Sequence, residues 1–159
     1  HCLGGQLMAR AFGGRVERLP MPEVGWLPVR REPGADAALL ADWLGGLGPG
    51  GSATVYQWHH DSFTVLPPGA RLLAASPACG HQVFAIGPHL GMQFHIEITP
   101  AKIQDWMETP GQAYPVNVLL HRDSVQDPAS MHAGTQRHQA GSEAMADRIY
   151  RVWRSRWPG

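Results

Sequence analysis

Short apolar stretches typical of β-strands alternate along this chain with segments whose apolar residues recur at helical spacing. The predicted strands are bounded by proline and glycine turns and cover residues 15–19, 25–29, 54–58, 71–76, 83–86 and 91–95. The predicted helices cover residues 7–12, 35–47, a segment that begins at 100, about 116–121, and 129–157. Because no repeat or linker interrupts this alternation, it predicts one mixed α/β domain over residues 1–159.

The composition excludes several classes of protein. Hydrophobic residues make up 43% and charged residues 16%, as in a globular protein and unlike a disordered one. Lysine plus arginine and aspartate plus glutamate each number 13, so no excess of charge indicates a nucleic acid or an anionic membrane as partner. No apolar run approaches the roughly 20 residues that span a bilayer. Two cysteines cannot build a disulfide framework in a chain this long, so we expect a reducing, cytoplasmic location.

Cys2 stands directly before a glycine pair, Gly4 and Gly5, and an apolar helical stretch. A thiol at the start of a helix meets the positive end of the helix dipole and free backbone N–H groups, and both favour the reactive thiolate. A small residue in an unimportant position explains a lone cysteine equally well. Taken alone, Cys2 is therefore an open candidate for a nucleophile.

The segment GMQFHIE, residues 91–97, holds a second candidate group. If it is extended, His95 and Glu97 share one face and Ile96 points to the other. A carboxylate at this spacing can accept the imidazole N–H and orient the ring, as a base beside a cysteine nucleophile requires. The polar end of an exposed strand would look the same, so this signal is also weak alone.

In combination, the two segments resemble the motifs of a known family. The run CLGGQ, residues 2–6, resembles the Gly-x-Cys-x-Gly-x-Gln nucleophile motif of class I (triad) glutamine amidotransferases, and QFHIE, residues 93–97, resembles their distal His-x-Glu motif. Other stretches are similar to the stand-alone, GMP-synthase-like members of the family, namely residues 23–29, 55–70, 73–87, 124–128 and 151–157. The resemblance extends in order along essentially the whole chain.

The resemblance and the alternating segments together predict a three-layer α/β/α fold, flavodoxin-like, with the nucleophile at the carboxyl end of a strand. A nucleophile on a sharp strand-to-helix turn needs that strand, because the strand holds the strained turn in place. Only His1 precedes Cys2, so neither the motif's glycine nor the family's upstream oxyanion loop is visible. We therefore expect the N-terminal strands of the natural domain to lie upstream of His1.

The resemblance implies a role for each matching residue. Cys2 attacks the side-chain amide carbon of glutamine, His95 transfers the proton, and Glu97 orients His95. The backbone N–H of Leu3 donates to the oxyanion, as its place at the start of a helix also favours. Gln6 contacts the substrate.

Asp61 and Ser62, in the run HHDSF, match a loop that frames the glutamine pocket of the family. The resemblance therefore implies that they bind substrate. A simple turn, stabilised by local bonds of the aspartate side chain, explains the two residues as well.

Three other features are interpreted as structural. Neighbouring His59 and His60 would point to opposite faces of an extended segment, and no zinc-type spacing of cysteine and histidine occurs, so we expect no metal and no cofactor. Cys79 is expected to be a packed, inert thiol and not a second nucleophile. Trp153 and Trp157 lie at helical spacing and are expected in the core.

Three functions remain open at this point. The first is hydrolysis of the glutamine side-chain amide, with ammonia released or passed to a synthase partner. The second is hydrolysis of another γ-glutamyl compound by the same triad, since only the leaving group differs. The third is a non-catalytic module, which the intact Cys2, Gln6, His95 and Glu97 disfavour.

Overall fold

The computed structural model of the protein describes residues 1–109 and 113–157. Its helices are α1 (Cys2–Ala11), α2 (Ala37–Leu44), α3 (Pro100–Glu108), α4 (Tyr114–Leu120) and α5 (Pro128–Ser155), and two short 3₁₀ turns, Gly45–Leu47 and Pro49–Gly51, follow α2. Its strands are β1 (Arg15–Arg31), β2 (Ser52–Val65), β3 (Arg71–Ala75), β4 (Val83–Ile86) and β5 (His89–Met92). Residues 110–112, which belong to the stretch 110–128 that the sequence predicts to be mostly irregular, lie outside the described part. The last two residues of the chain also lie outside it.

Local signals determine where the helices begin and end. The Thr99 side chain accepts a hydrogen bond from the Lys102 N–H at the start of α3, and the Asp127 side chain accepts one from the Ser130 N–H at the start of α5. The predicted helix over residues 35–47 is shorter than expected. Its α-helical part ends at Gly45, whose φ of 63° lies in the left-handed region that closes helices.

The five strands form one sheet in the order β2-β1-β3-β4-β5, and each neighbouring pair is antiparallel. The two strands predicted over residues 15–19 and 25–29 are one strand, β1. Its pairing with β2 shifts register between Arg18 and Glu23, where Pro20 and Pro22 lie. The prediction of a turn there was wrong, because a proline that cannot donate to the ladder is also accommodated in a bulge when the partner strand continues.

The sheet curls until its two edges meet. After β5 the Gln93 N–H donates to the Gln82 carbonyl at 2.8 Å, and the His95 N–H donates to the Tyr56 carbonyl of β2 at 2.9 Å. The strand predicted over residues 91–95 thus ends at Met92, and residue 95 forms only an isolated bridge with Tyr56. The segment 93–97 closes the sheet as a bent connection.

Helices cover both faces of the sheet. Val83 and Ala85 of β4 belong to a buried cluster with residues of α2 and α5, whereas Phe84 between them packs in another cluster with Ala9 of α1. Because successive side chains of a strand point to opposite faces, α1 lies on one face and α2 with α5 on the other. The predicted mixed α/β class is confirmed.

A third buried cluster lies where α3, α4 and α5 meet the first two strands. It contains Trp26 of β1, Tyr56 of β2, Ile103 of α3, Tyr114 of α4 and Met131 of α5. This cluster confirms the predicted helices that begin at residue 100 and near residue 116. No helix of the described residues is both long and apolar enough to cross a bilayer.

The end of α5 departs from its prediction. Trp153 and Trp157 were expected in the core, yet they are 51% and 50% exposed. Ile149 is the last described residue of the helix that is buried, and the residues after it lie at the margin of the layer, with Trp157 against the ring of His89. Helical spacing identifies the apolar face of a helix but not the point at which its partner layer ends.

Two glycines of α5 test how closely this helix packs on β1. A Cβ atom at Gly134 would lie 2.6 Å from Cδ1 of the buried Trp26, whereas one at Gly141 would meet no atom within 4 Å. We expect Gly134→Ala to lower the free energy of unfolding by about 1–3 kcal/mol through overpacking. The matched control Gly141→Ala should raise it by up to about 1 kcal/mol, because alanine favours the helix. Urea denaturation measures both, and equal effects would contradict the described packing.

Candidate active site

Cys2 is the first residue of α1 and has a strained backbone. Its φ is 39°, in the left-handed region that residues other than glycine seldom adopt. Such strain is typical of a nucleophile held on a sharp turn before a helix. The side chain is neither buried nor fully exposed, so the sulfur lies at the molecular surface with a helix start beneath it.

Gly5 determines how closely α1 approaches the sheet. A Cβ atom at this position would lie 2.8 Å from the carbonyl oxygen of Met92, the last residue of β5. The missing side chain therefore lets the first turn of α1 lie directly on the end of β5. Because the segment 93–97 follows Met92, this close contact brings Cys2 beside His95.

His95 and Glu97 form a close pair. The Nδ1 atom of His95 lies 2.7 Å from Oε1 of Glu97, while the His95 side chain is 9% exposed and that of Glu97 is 37% exposed. The contact is the one predicted, although the residues lie in a bent segment and not in a strand. A carboxylate at Nδ1 holds the proton there and leaves Nε2 as the atom that can exchange a proton with a nucleophile.

The charges around His95 favour its protonated form. Burial alone would lower the pKa of His95, but the Cys2 sulfur and the Glu97 carboxylate outweigh burial and raise the pKa to about 9. Burial would likewise raise the pKa of Glu97, and the hydrogen bond with His95 reverses this and lowers it. The Nε2 atom of His95 is buried and has no well-aligned hydrogen-bond partner within the described residues. Glu97 thus holds one nitrogen of the ring, and the Cys2 side chain is a neighbour that also favours its protonated form.

Two residues beside the His95–Glu97 pair, Trp106 and His1, had no role predicted from the sequence. The indole ring of Trp106, on α3, meets the His95 ring edge-to-face with centroids 4.9 Å apart. Nδ1 of His1 lies 3.3 Å from Oε2 of Glu97, and His1, His95 and Glu97 each offer a possible metal-ligand atom within 4.8 Å of the others. Since Glu97 and the Nδ1 atom of His95 already bind each other, this group fits an acid–base pair.

Gln6 and Asp61 lie near Cys2 and contact each other. The contact uses the backbone carbonyl of Asp61, an atom with no predicted role. Nε2 of Gln6 donates to the backbone carbonyl of Asp61 at 2.8 Å and to Oε1 of Gln93 at 3.3 Å. Nε2 of Gln93 in turn lies 3.7 Å from the sulfur of Cys2. Gln93 was missed because a buried amide within the QFHIE run has no distinctive local pattern.

Asp61 and Ser62 lie within β2 and not in the predicted loop. They pair with Arg18 and Glu17 of β1, because the β1–β2 ladder continues past the bulge. Ser62 is 1% exposed, and its hydroxyl lies 3.1 Å from the sulfur of Cys79. The Asp61 carbonyl therefore belongs to the hydrogen-bonded group around Cys2, whereas the Ser62 hydroxyl contacts Cys79.

Leu3 and Cys79 lie where the sequence suggested. Leu3 is the second residue of α1 and 64% exposed, so its N–H belongs to the first helical turn, where N–H groups lack intrahelical partners. Cys79 is 1% exposed and burial raises the pKa of its thiol to about 11. Both cysteines are free thiols, and Cys79 is the inert one.

Comparison with known families points in the same direction as the geometry. The family profile described as glutamine amidotransferase class-I matches residues 2–108. A glutamine-hydrolysing GMP synthase of Alkalilimnicola ehrlichii is 36% identical over 104 residues, which are 62% of this chain. They are only 19% of that synthase, so the chain spans about a fifth of the curated relative it matches.

Solved structures share the fold. A glutamine amidotransferase of Methylobacillus flagellatus superposes with a TM-score of 0.80 at 26% identity, over 99% of this chain and 62% of its own. A glutamine amidotransferase of Thermotoga maritima superposes with a TM-score of 0.74 at 26% identity, over 96% of this chain and 60% of its own. The whole described arrangement of helices and sheet therefore recurs in these proteins.

The His95–Glu97 pair should make stability depend on pH. Because the folded pKa of His95 is raised above its usual value near 6.5, its stabilising effect is complete below pH 6.5 and is lost as pH rises through about 9. We expect Glu97→Gln to remove much of this dependence, so that its deficit against the wild type is on the order of 1–3 kcal/mol at pH 6 and shrinks by pH 9.5.

Chemical denaturation at several pH values measures this difference. Asp42→Asn on α2 is the control, because Asp42 pairs with Arg156 and not with a histidine, so its effect should not change between pH 6 and pH 9.5. A deficit of Glu97→Gln that is constant with pH would contradict the raised pKa of His95.

Proposed function

The chain belongs to the class I glutamine amidotransferases, and from that premise we propose that it hydrolyses the side-chain amide of glutamine with Cys2, His95 and Glu97 as its triad. The observation that carries the proposal is the buried His95, which is bound to Glu97 at one nitrogen and has the strained Cys2 as a neighbour that interacts with its ring. This combination of nucleophile, base and orienting acid is what thioester chemistry requires.

The first half of the proposed reaction releases ammonia. The Cys2 thiolate attacks the δ-carbon of the glutamine side chain, and the electron pair of the carbonyl moves onto its oxygen. As this tetrahedral intermediate collapses, the carbon–nitrogen bond breaks, and the His95 imidazolium gives its Nε2 proton to the departing nitrogen. The products are ammonia and a γ-glutamyl thioester on Cys2, with His95 now neutral.

The second half regenerates the enzyme. Neutral His95 takes a proton from water at Nε2 while the water oxygen attacks the thioester carbon. The carbon–sulfur bond breaks, glutamate leaves, and Cys2 returns to the thiolate beside protonated His95. Glu97 stays ionised throughout and stabilises the imidazolium, as its lowered pKa favours.

Four other residues are proposed to hold the substrate. The backbone N–H of Leu3 stabilises the oxyanion, since it begins the helix directly after the nucleophile. The amide nitrogen of Gln6 is occupied by the Asp61 carbonyl and Gln93, so its carbonyl oxygen is the atom offered to glutamine. Asp61 frames the pocket through its backbone. Ser62, whose hydroxyl contacts Cys79, is proposed to act through the same backbone segment.

The released ammonia is proposed to pass to an amidating synthase. Support comes from the matched relative, a GMP synthase whose remaining length lies outside the region shared with this chain. Ammonia that escapes into water becomes ammonium, which is not nucleophilic, so a glutaminase coupled to synthesis gains from a bound partner. The proposed glutaminase reaction uses only the residues described here and water, and it needs no cofactor.

Substitution of the two cysteines tests the proposal. We expect Cys2→Ala in the natural full-length protein to lower kcat/KM for glutamate release from glutamine by about 10³-fold or more, because no other group can form the thioester. Cys79→Ser keeps a hydrogen-bonding group in the buried position and should stay within about tenfold of the wild type.

The assay measures glutamate and ammonia from glutamine beside a panel of γ-glutamyl peptides. If the wild type hydrolysed only the peptides, and Cys2→Ala did not, the substrate class would be γ-glutamyl peptides and not glutamine. Equal turnover of glutamine by Cys2→Ala and the wild type would refute the triad.

A further inference from the structure

We propose that Gln93 is a positioning residue for the nucleophile, whose side-chain amide holds the Cys2 sulfur, and that a buried chain of polar contacts, which runs from Glu23 through His59 and Gln6, fixes its orientation. The inference rests on the proposed role of Cys2 as the nucleophile. It concerns four residues, Glu23, His59, Gln6 and Gln93, whose burial the triad does not explain.

The backbone of Gln93 is fixed where the sheet closes. The residue follows β5, is 0% exposed, and donates its N–H to the Gln82 carbonyl at 2.8 Å. Its side chain therefore points into the interior of the curled sheet. An amide buried there must find partners for both ends, because a buried polar group without a hydrogen-bond partner destabilises the fold.

The direction of the side-chain amide follows from its neighbours. The Asp61 backbone carbonyl can only accept, so the group of Gln6 that faces it at 2.8 Å is the NH₂ group. The same NH₂ group of Gln6 faces Gln93 at 3.3 Å, so Gln93 must present its carbonyl oxygen there. This leaves the NH₂ group of Gln93 directed at the Cys2 sulfur, 3.7 Å away.

The chain continues away from the sulfur to a buried carboxylate. His59 donates from Nδ1 to the same Asp61 carbonyl at 3.2 Å, and its Nε2 lies 3.2 Å from Oε2 of Glu23. The side chains of His59 and Glu23 are 1% and 2% exposed. Gln82 donates to the Glu23 carboxylate at 2.7 Å. A buried carboxylate held from two sides anchors the chain rigidly, because moving any member would leave a charge unpaired.

The chemical effect on Cys2 is directional. An N–H group aimed at the sulfur favours the thiolate over the thiol and limits the rotation of the Cys2 side chain. His95 lies two residues further along the same closing segment, and its ring also interacts with the Cys2 side chain. Gln93 itself neither gives nor receives the reacting proton.

One substitution removes the donor to sulfur and keeps the contact between residue 93 and Gln6. Gln93→Glu keeps an oxygen for the NH₂ group of Gln6 and replaces only the group that faces sulfur, by an oxygen that cannot donate when ionised. We expect the pH midpoint of Cys2 alkylation by iodoacetamide to rise by about 1 unit and kcat/KM for glutamine hydrolysis to fall about 10- to 100-fold, with KM changed less than kcat.

Gln6→Met is the second variant. It leaves Gln93 in place but removes the group that orients it, so the same midpoint should rise by a smaller amount. Gln126→Met is the matched control. Gln126 is half-buried, and its amide exchanges two hydrogen bonds with the backbone of Trp26 and takes no part in the chain to Cys2, so its alkylation profile should equal that of the wild type.

Alkylation needs no substrate, so it separates this inference from the proposed function. If the wild type did not hydrolyse glutamine, the proposed function would be refuted. The alkylation test of this inference could still be made. Circular dichroism shows which variants are folded. An unchanged midpoint in folded Gln93→Glu, or in folded Gln6→Met should Gln93→Glu not fold, would overturn the inference, as would an equal shift in Gln126→Met.

Discussion

The site depends on the closure of the sheet, where the backbone N–H of His95 donates to the Tyr56 carbonyl at 2.9 Å. Both partners lie at sheet edges, and an edge left open would expose unpaired backbone groups. By joining β2 to the segment after β5, this hydrogen bond fixes residues 93–97 across the mouth of the curled sheet. Gln93 then points inward, His95 rests against Trp106, and the Glu97 carboxylate reaches the rim.

The interior behind that closure is polar, which is unusual for a sheet that carries apolar layers on both faces. Glu23, His59, Gln57, Gln82 and Gln93 are all buried there. Each such group costs free energy unless it is paired, so the interior is stable only as a connected network. The apolar clusters under the helices supply the stability, and the polar interior supplies rigidity beneath the nucleophile. A site supported in this way is organised before substrate arrives.

Much of the fold and of the candidate site could be predicted from local signals. The proline and capping residues before α3 and α5 place those helices, and the apolar run at residues 83–86 is strand β4 as predicted. The two motifs around Cys2 and His95 indicated the family, which comparison with known proteins confirms. The prolines near residue 20 were misjudged, because whether a strand breaks or bulges depends on the partner strand beyond it.

The sequence by itself determined where α3 and α5 begin and the residue types that hydrolytic thiol chemistry needs, because capping, turn formation and motif spacing act within a few residues. Only the tertiary structure decided which of those residues meet. It turned the Ser62 hydroxyl toward Cys79, set Trp106 against His95, and directed Gln93 at Cys2 across 91 positions of the chain. Such contacts arise from the curl of the sheet and the approach of α1, and no local pattern records a distance between segments that become neighbours only when the chain folds.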